Sequence, residues 1–169
     1  MGLTTLGIIH TAISLVAVAT GALTLIRDGK ISWTSMVGKI YVITTALTCL
    51  TAFGIFEHGG FGPGHVLGII TLVVLTLALV AGKSSKPFGG LSPYIETVAY
   101  SATFFFHLVP GLTEASTRLP VDAPLASGPD DPNLKLALGI TFLLFVIGAT
   151  WQVLKLRASS KGTAHVTLR

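Results

Sequence analysis

Apolar runs of bilayer length recur along this chain, and they leave it few ways to fold. Five can be drawn: Leu3 to Ile26, Met36 to Phe56, Gly64 to Gly82, Pro93 to Leu112 and Leu134 to Leu156. Each is close to the ~20 residues that a helix needs to cross the hydrocarbon core. Backbone groups in lipid must be satisfied within their own segment, so such runs predict helices. Of 169 residues, 51% are hydrophobic and 11% charged, and the mean hydropathy is +0.79, which no ordinary water-soluble domain shows. The expected fold is all-α, a single polytopic transmembrane bundle over residues 1–157 with a cytoplasmic tail at residues 158–169.

Positive charges set the expected orientation. Arg27, Lys30 and Lys39 lie between or beside the first two runs, Lys83 and Lys86 between the third and fourth, and Lys155, Arg157, Lys161 and Arg169 at or after the end of the fifth. With five spans all of these fall on one side, facing Glu57, Glu114, Asp122, Asp130 and Asp131 on the other. The positive-inside rule then places the N-terminus outside and the C-terminus in the cytoplasm, in what reads as a bacterial cytoplasmic membrane. The same rule accounts for the net charge of +4 without any nucleic-acid partner. The first run carries a small-x-small triplet, Ala17-Val18-Ala19, but no Lys or Arg precedes it and GALTLI continues it, so a retained span is expected rather than a cleaved signal. Residues 113–133, containing LPVDAPLASGPDDPN, are expected to form an extended outer connection covering the end of the bundle.

The fourth run combines this greasy character with chemistry. Glu96, Tyr100, Thr103 and His107 fall at offsets of four, seven and eleven, one helical face. Ionisable groups in a membrane face the bundle interior, so this stripe should point inward. Pro93 in a first turn is harmless, whereas Pro110 is expected to kink or end the helix.

Five-span topology gathers the histidines. His10 lies about two turns below the outer end of the first run and His107 about one and a half turns below that of the fourth; His58 and His65 flank the outer loop EHGGFGPGH. Imidazoles on separate helices at one depth are what a haem iron or a copper or zinc ion needs, so a haem b or Cu/Zn site bounded by His10, His65 and His107 is expected, with His58 an added metal ligand if its loop folds inward. The bland alternative is that each ring bonds a neighbouring Thr or carbonyl. His165, in a tail expected to be disordered, is assigned no role. Lone Cys49 excludes an intramolecular disulfide. At the cytoplasmic end an ion pair of Lys39 with Glu96 would satisfy both groups; the functional counterpart is a line of exchangeable protons through Glu96, Tyr100 and Thr103 to His107. Thr44, Thr48 and Thr51 share one face of the second run, where back-bonding to the preceding turn explains them, and Gly64, Gly68, Gly139 and Gly148 suit close helix packing.

The segment GKIYV, Gly38 to Val42, opening the second run after a first run with an early His, resembles a family of predicted bacterial membrane proteins of unknown function. His10, Gly21, Gly38, Lys39, Tyr41 and GHVLGIITL carry the resemblance, which covers the first half of the chain well and the rest loosely. ISWTSMV stands where that pattern has a His-Arg pair, so a cytoplasmic-side site built on that pair is not expected. At the level of small His-bearing bundles only, the architecture is similar to membrane cytochromes b and to assembly factors of terminal oxidases. Three functions follow: a redox or metal- and haem-handling protein, with quinone as the partner if it is an oxidoreductase; a carrier for protons or a small solute; or an accessory subunit bound to other membrane subunits. Nucleotide-binding loops, HExxH and catalytic-serine motifs do not occur in the sequence.

Overall fold

A computed structural model describes residues 4–56 and 60–166, with side chains through 160. Five helices run through it: α1 (Thr5–Asp28), α2 (Met36–Ala52), α3 (Pro63–Lys83), α4 (Ser92–Arg118) and α5 (Pro132–Val166), with a 3-10 turn at Gly89–Leu91 before α4. No strand occurs among the described residues. Three helices, Thr5–Asp28, Pro63–Lys83 and Pro132–Ser160, are long and apolar enough to span a membrane. Of the other two, α2 is apolar but only 17 residues long, and α4 has 27 residues with a polar face.

The helix ends follow local chemistry. Thr4 caps α1 by accepting from the Gly7 amide at 3.1 Å, and Gly29 stops it in the left-handed conformation at φ 70°. Ser35 caps α2 through the Gly38 amide at 3.0 Å. Pro63 occupies the first turn of α3, where its missing N–H costs nothing. At the start of α5 the Asp131 carboxylate takes the amides of Ser127 and Asn133, at 3.0 and 2.9 Å, and these donors hold its pKa below the usual carboxylate value.

Several boundaries correct the expectations above. Pro110 does not end α4, which continues to Arg118. The outer connection is accordingly shorter, and it is not extended: it turns back on α4, the Ala126 amide bonding the Ser116 carbonyl at 2.9 Å with Ala126 buried. At the other end α5 continues through Val166, where a disordered tail was expected.

Packing pairs α1 with α2 and α3 with α4, while α5 lies outside against α4. The interior is built from small and hydroxylated side chains around two tyrosines: Ala17, Ala78 and Ala99 beside Tyr41 and Tyr100, with Thr24, Thr45, Thr71, Thr97 and Thr103 buried among them. Ile8, Leu15, Ile43, Leu50, Ile69, Val73, Leu143 and Leu144 point outward. Lipid is as apolar as leucine, so helices associate through close packing and hydrogen bonds rather than by hiding leucines, and this inside-out distribution follows. The closest approaches are at Gly21, where an added Cβ would lie 2.6 Å from the Phe104 ring, and at Gly38 and Gly82. Gly64, Gly139 and Gly148 have nothing within 4 Å of such a Cβ, which removes the close-packing role expected of them, whereas Gly68 meets Phe53 at 3.1 Å. Gln152 secures α5 by accepting from the Ser101 hydroxyl at 2.8 Å and donating to the Gly29 carbonyl at 2.9 Å.

Charges divide between the two ends of the bundle. At one end Lys83 lies 5.4 Å from the Trp33 ring, Lys155 approaches Gly29, and the positive charge of Lys30 acts on Glu96. At the other, Glu114 pairs with Arg118 and Asp130 with Lys135. The expected ion pair of Lys39 with Glu96 does not form. Glu96 instead lies across Gly82 of α3, where a Cβ would be 2.5 Å from Oε1, and accepts a long hydrogen bond from Ser32 at 3.5 Å.

Candidate functional site: a buried polar seam and a cavity at the acidic end

The α4 stripe does face inward, and α2 supplies its counterpart. Tyr100 and Thr103 are fully buried, His107 is 8% exposed, and Glu96 is half-buried at the basic end. Opposite them stand Tyr41, Thr45 and Thr48, at helical offsets of four and seven. The Tyr41 hydroxyl lies 2.8 Å from Thr103 Oγ1, His107 Nε2 lies 3.1 Å from Thr45 Oγ1, and the His107 ring meets Tyr41 edge-on at 6.2 Å.

The direction of the first of these bonds can be worked out from donor supply. Thr103 has one hydroxyl proton and gives it to the Tyr100 carbonyl at 2.8 Å, so it accepts from Tyr41. Thr45, one turn along α2 from Tyr41, is fully buried too. It shares a hydrogen bond with His107 Nε2 in which the donor is set by the imidazole tautomer. The result is two buried bonds between α2 and α4, Tyr41 to Thr103 and Thr45 with His107, on successive turns. Next along α4, the Tyr100 hydroxyl is buried with no partner. Leaving a buried hydroxyl unpaired costs about 1–3 kcal/mol, which makes it a candidate for function.

His10 and His65 belong to a different place. Thr51 directs its proton to the carbonyls of Leu47 and Thr48, at 2.9 and 3.0 Å, and therefore accepts from His10 Nδ1–H at 3.0 Å, leaving a lone pair on Nε2. His65 Nδ1 accepts the Gly62 amide at 3.1 Å, so the neutral ring carries its proton on Nε2, which is buried and unpartnered. Both rings line a mostly apolar cavity of about 430 Å³ at the acidic end, together with Thr11, Phe61, Pro110 and Glu114.

The predicted triplet is thus divided. His10 and His107 attach to α2 at Thr51 and Thr45, six residues or about 9 Å along the axis, and only His10 and His65 share the cavity. His107 Nε2 is engaged by Thr45, and His65 Nδ1 by an amide. Among the described residues no three His, Cys, Asp or Glu side chains could hold one metal ion together. Glu57 and His58 lie outside the described residues, as does the side chain of His165. Cys49 is a buried thiol, as expected.

Sequence reasoning missed Thr45, and with it the pairing of α2 to α4. The signal was present as a second polar stripe, Tyr41, Thr45 and Thr48, displaced from the Thr44, Thr48 and Thr51 face that was considered. Thr44 and Thr48 do bond the preceding turn, at 2.7 and 2.8 Å, whereas Thr51 also holds His10. No protein-family model, curated protein or solved structure matches the chain.

Proposed function

We propose that this is a five-span protein of the bacterial cytoplasmic membrane, its N-terminus outside, that carries protons through its polar seam. The observation behind this reading is the pair of buried bonds that line up between α2 and α4, Thr45 with His107 and Tyr41 with Thr103. Five spans are supported by the division of charge between the ends, and α2, at 17 residues, is about 25 Å long, within the range that crosses a bilayer.

A proton taken up by His107 on its second ring nitrogen releases Nε2–H to Thr45, Thr45 passes its own to Tyr41, and Tyr41 passes its own to Thr103. Thr103 must then turn its hydroxyl from the Tyr100 carbonyl towards the unpartnered Tyr100 hydroxyl, and Tyr100 releases its own proton towards Glu96, one turn back along α4. Each group gains one proton and loses one, and the seam resets when the hydroxyls rotate back and the His107 ring turns over to face Thr45 with N–H again. Proteoliposomes containing a trapped pH dye, with a potential imposed by potassium and valinomycin, should acidify or alkalinise faster than protein-free vesicles. Equal rates would overturn the proposal.

A second reading is a haem b or a copper or zinc ion held by His10 with His107. It is favoured by the His10 tautomer, since a ring that donates Nδ1–H to a fixed acceptor presents Nε2 as a ligand. On this reading the purified protein, supplied with haem and metals during expression, shows a Soret band or stoichiometric metal that is lost in His10→Ala and His107→Ala. A colourless, metal-free, folded protein would dispose of it.

A further inference from the structure

The cavity at the acidic end combines three features that specify a ligand. First, its wall holds a buried, unpartnered donor, His65 Nε2–H, on a ring 7% exposed, and the lone pair of His10 Nε2, with Thr11 and Glu114 also in the lining. Second, the donor ring sits in an aromatic setting suited to a flat partner, with Phe61 stacked on it and Phe56 tilted against it, each at 5.0 Å between centroids. Third, Phe61, Gly62 and Pro63 border not only this cavity but also an apolar groove of about 570 Å³ that continues along α3 past Val66, Leu67 and Ile70.

We propose that the cavity binds the head group of a lipid-soluble quinone or quinol, its apolar tail lying in the α3 groove. A quinone carbonyl accepts from His65 Nε2–H. The quinol form can also donate a hydroxyl proton to His10 Nε2. Fatty acids share the tail chemistry but carry an anionic head, and phospholipids carry an anionic or zwitterionic phosphate head. The described lining residues include no lysine or arginine to hold an anionic group, and the Glu114 carboxylate there is already paired with Arg118, so the site favours a neutral head group.

Binding is tested with decylubiquinone and the purified full chain in nanodiscs, measuring the quinone retained over that in empty nanodiscs. Saturable retention by the wild type is expected. His65→Leu should weaken it by about tenfold, the order expected for removing one hydrogen-bond donor to the head group. Val66→Trp, which changes an exposed side chain in the groove and leaves both histidines, should weaken it as well. Decanoate in excess should not displace the quinone. Retention equal in wild type and Val66→Trp, no saturable retention by the wild type, or displacement by decanoate would each overturn the proposal.

Discussion

Gly38→Ala is expected to lower the thermal midpoint of the detergent-solubilised protein by several degrees, even though alanine is the better helix former by about 1 kcal/mol. Gly38 lies in the first turn of α2, directly under the loop that enters it. A Cβ there would lie 1.9 Å from the Ser32 carbonyl oxygen and 2.9 Å from Ser35 Oγ. The loop has little room to retreat. Ile31 is fully buried on one side, and Ser35 is tied down by its amide bond to Ser32 at 3.3 Å and by its cap on the Gly38 amide. Overpacking costs about 1–3 kcal/mol, and a disturbed cap adds about 1 kcal/mol. Each kcal/mol corresponds to about 2–4 °C for a domain of this size. Gly139→Ala is the control, because nothing lies within 4 Å of its added Cβ, and it should leave the midpoint unchanged or raise it slightly. Far-UV circular dichroism during heating separates the two. An unchanged midpoint for Gly38→Ala would mean that the loop yields without cost.

Gly38 also shows how far the sequence could be read. Its place in GKIYV was visible as a motif, and Tyr41 and Val42 from the same motif do enter the core. The close approach to Ser32 was not visible, because it depends on a loop path that no periodicity reports. Helix existence was legible because bilayer-length apolar runs have one backbone solution. Antiparallel connection of those runs led to the expectation that His10, His65 and His107 bound one site; His10 and His65 do line one cavity with Glu114, and His107 does not join them there. Depth and partner were harder. Whether His107 meets His10 or Thr45 depends on how α2 and α4 rotate about their axes, and a difference of six residues on α2 moved the contact by about 9 Å. The Lys39 to Glu96 pair failed for the same reason: both stand at the same end, yet Glu96 turns across Gly82. Pro110 misled because a proline costs a helix one hydrogen bond, a local loss that tertiary packing in a bundle can outweigh.

Rotation also settles where the seam is most vulnerable. Tyr41→Phe is expected to reduce proton flux into liposomes by at least about tenfold, equivalent to about 1.4 kcal/mol on the barrier. Phenylalanine fills nearly the same volume and retains the edge contact with His107, so packing is preserved. What disappears is the hydroxyl that bonds Thr103 and that stands between Thr45 and Thr103 on the proposed path. The same change leaves the fully buried Thr103 oxygen without its Tyr41 donor, for a stability loss of about 1–3 kcal/mol. A flux defect could therefore reflect loosening rather than a broken path. Thr44→Val distinguishes them, since the Thr44 hydroxyl bonds only the Ile40 and Tyr41 carbonyls of its own helix, at 2.7 and 3.1 Å. It sits one residue from Thr45 but outside the proposed path, and flux should stay at the wild-type rate. Wild-type flux in Tyr41→Phe would remove the seam as the proton path. Equal slowing in both variants would assign the effect to helix packing, because only the tyrosine variant removes a hydroxyl from the proposed path.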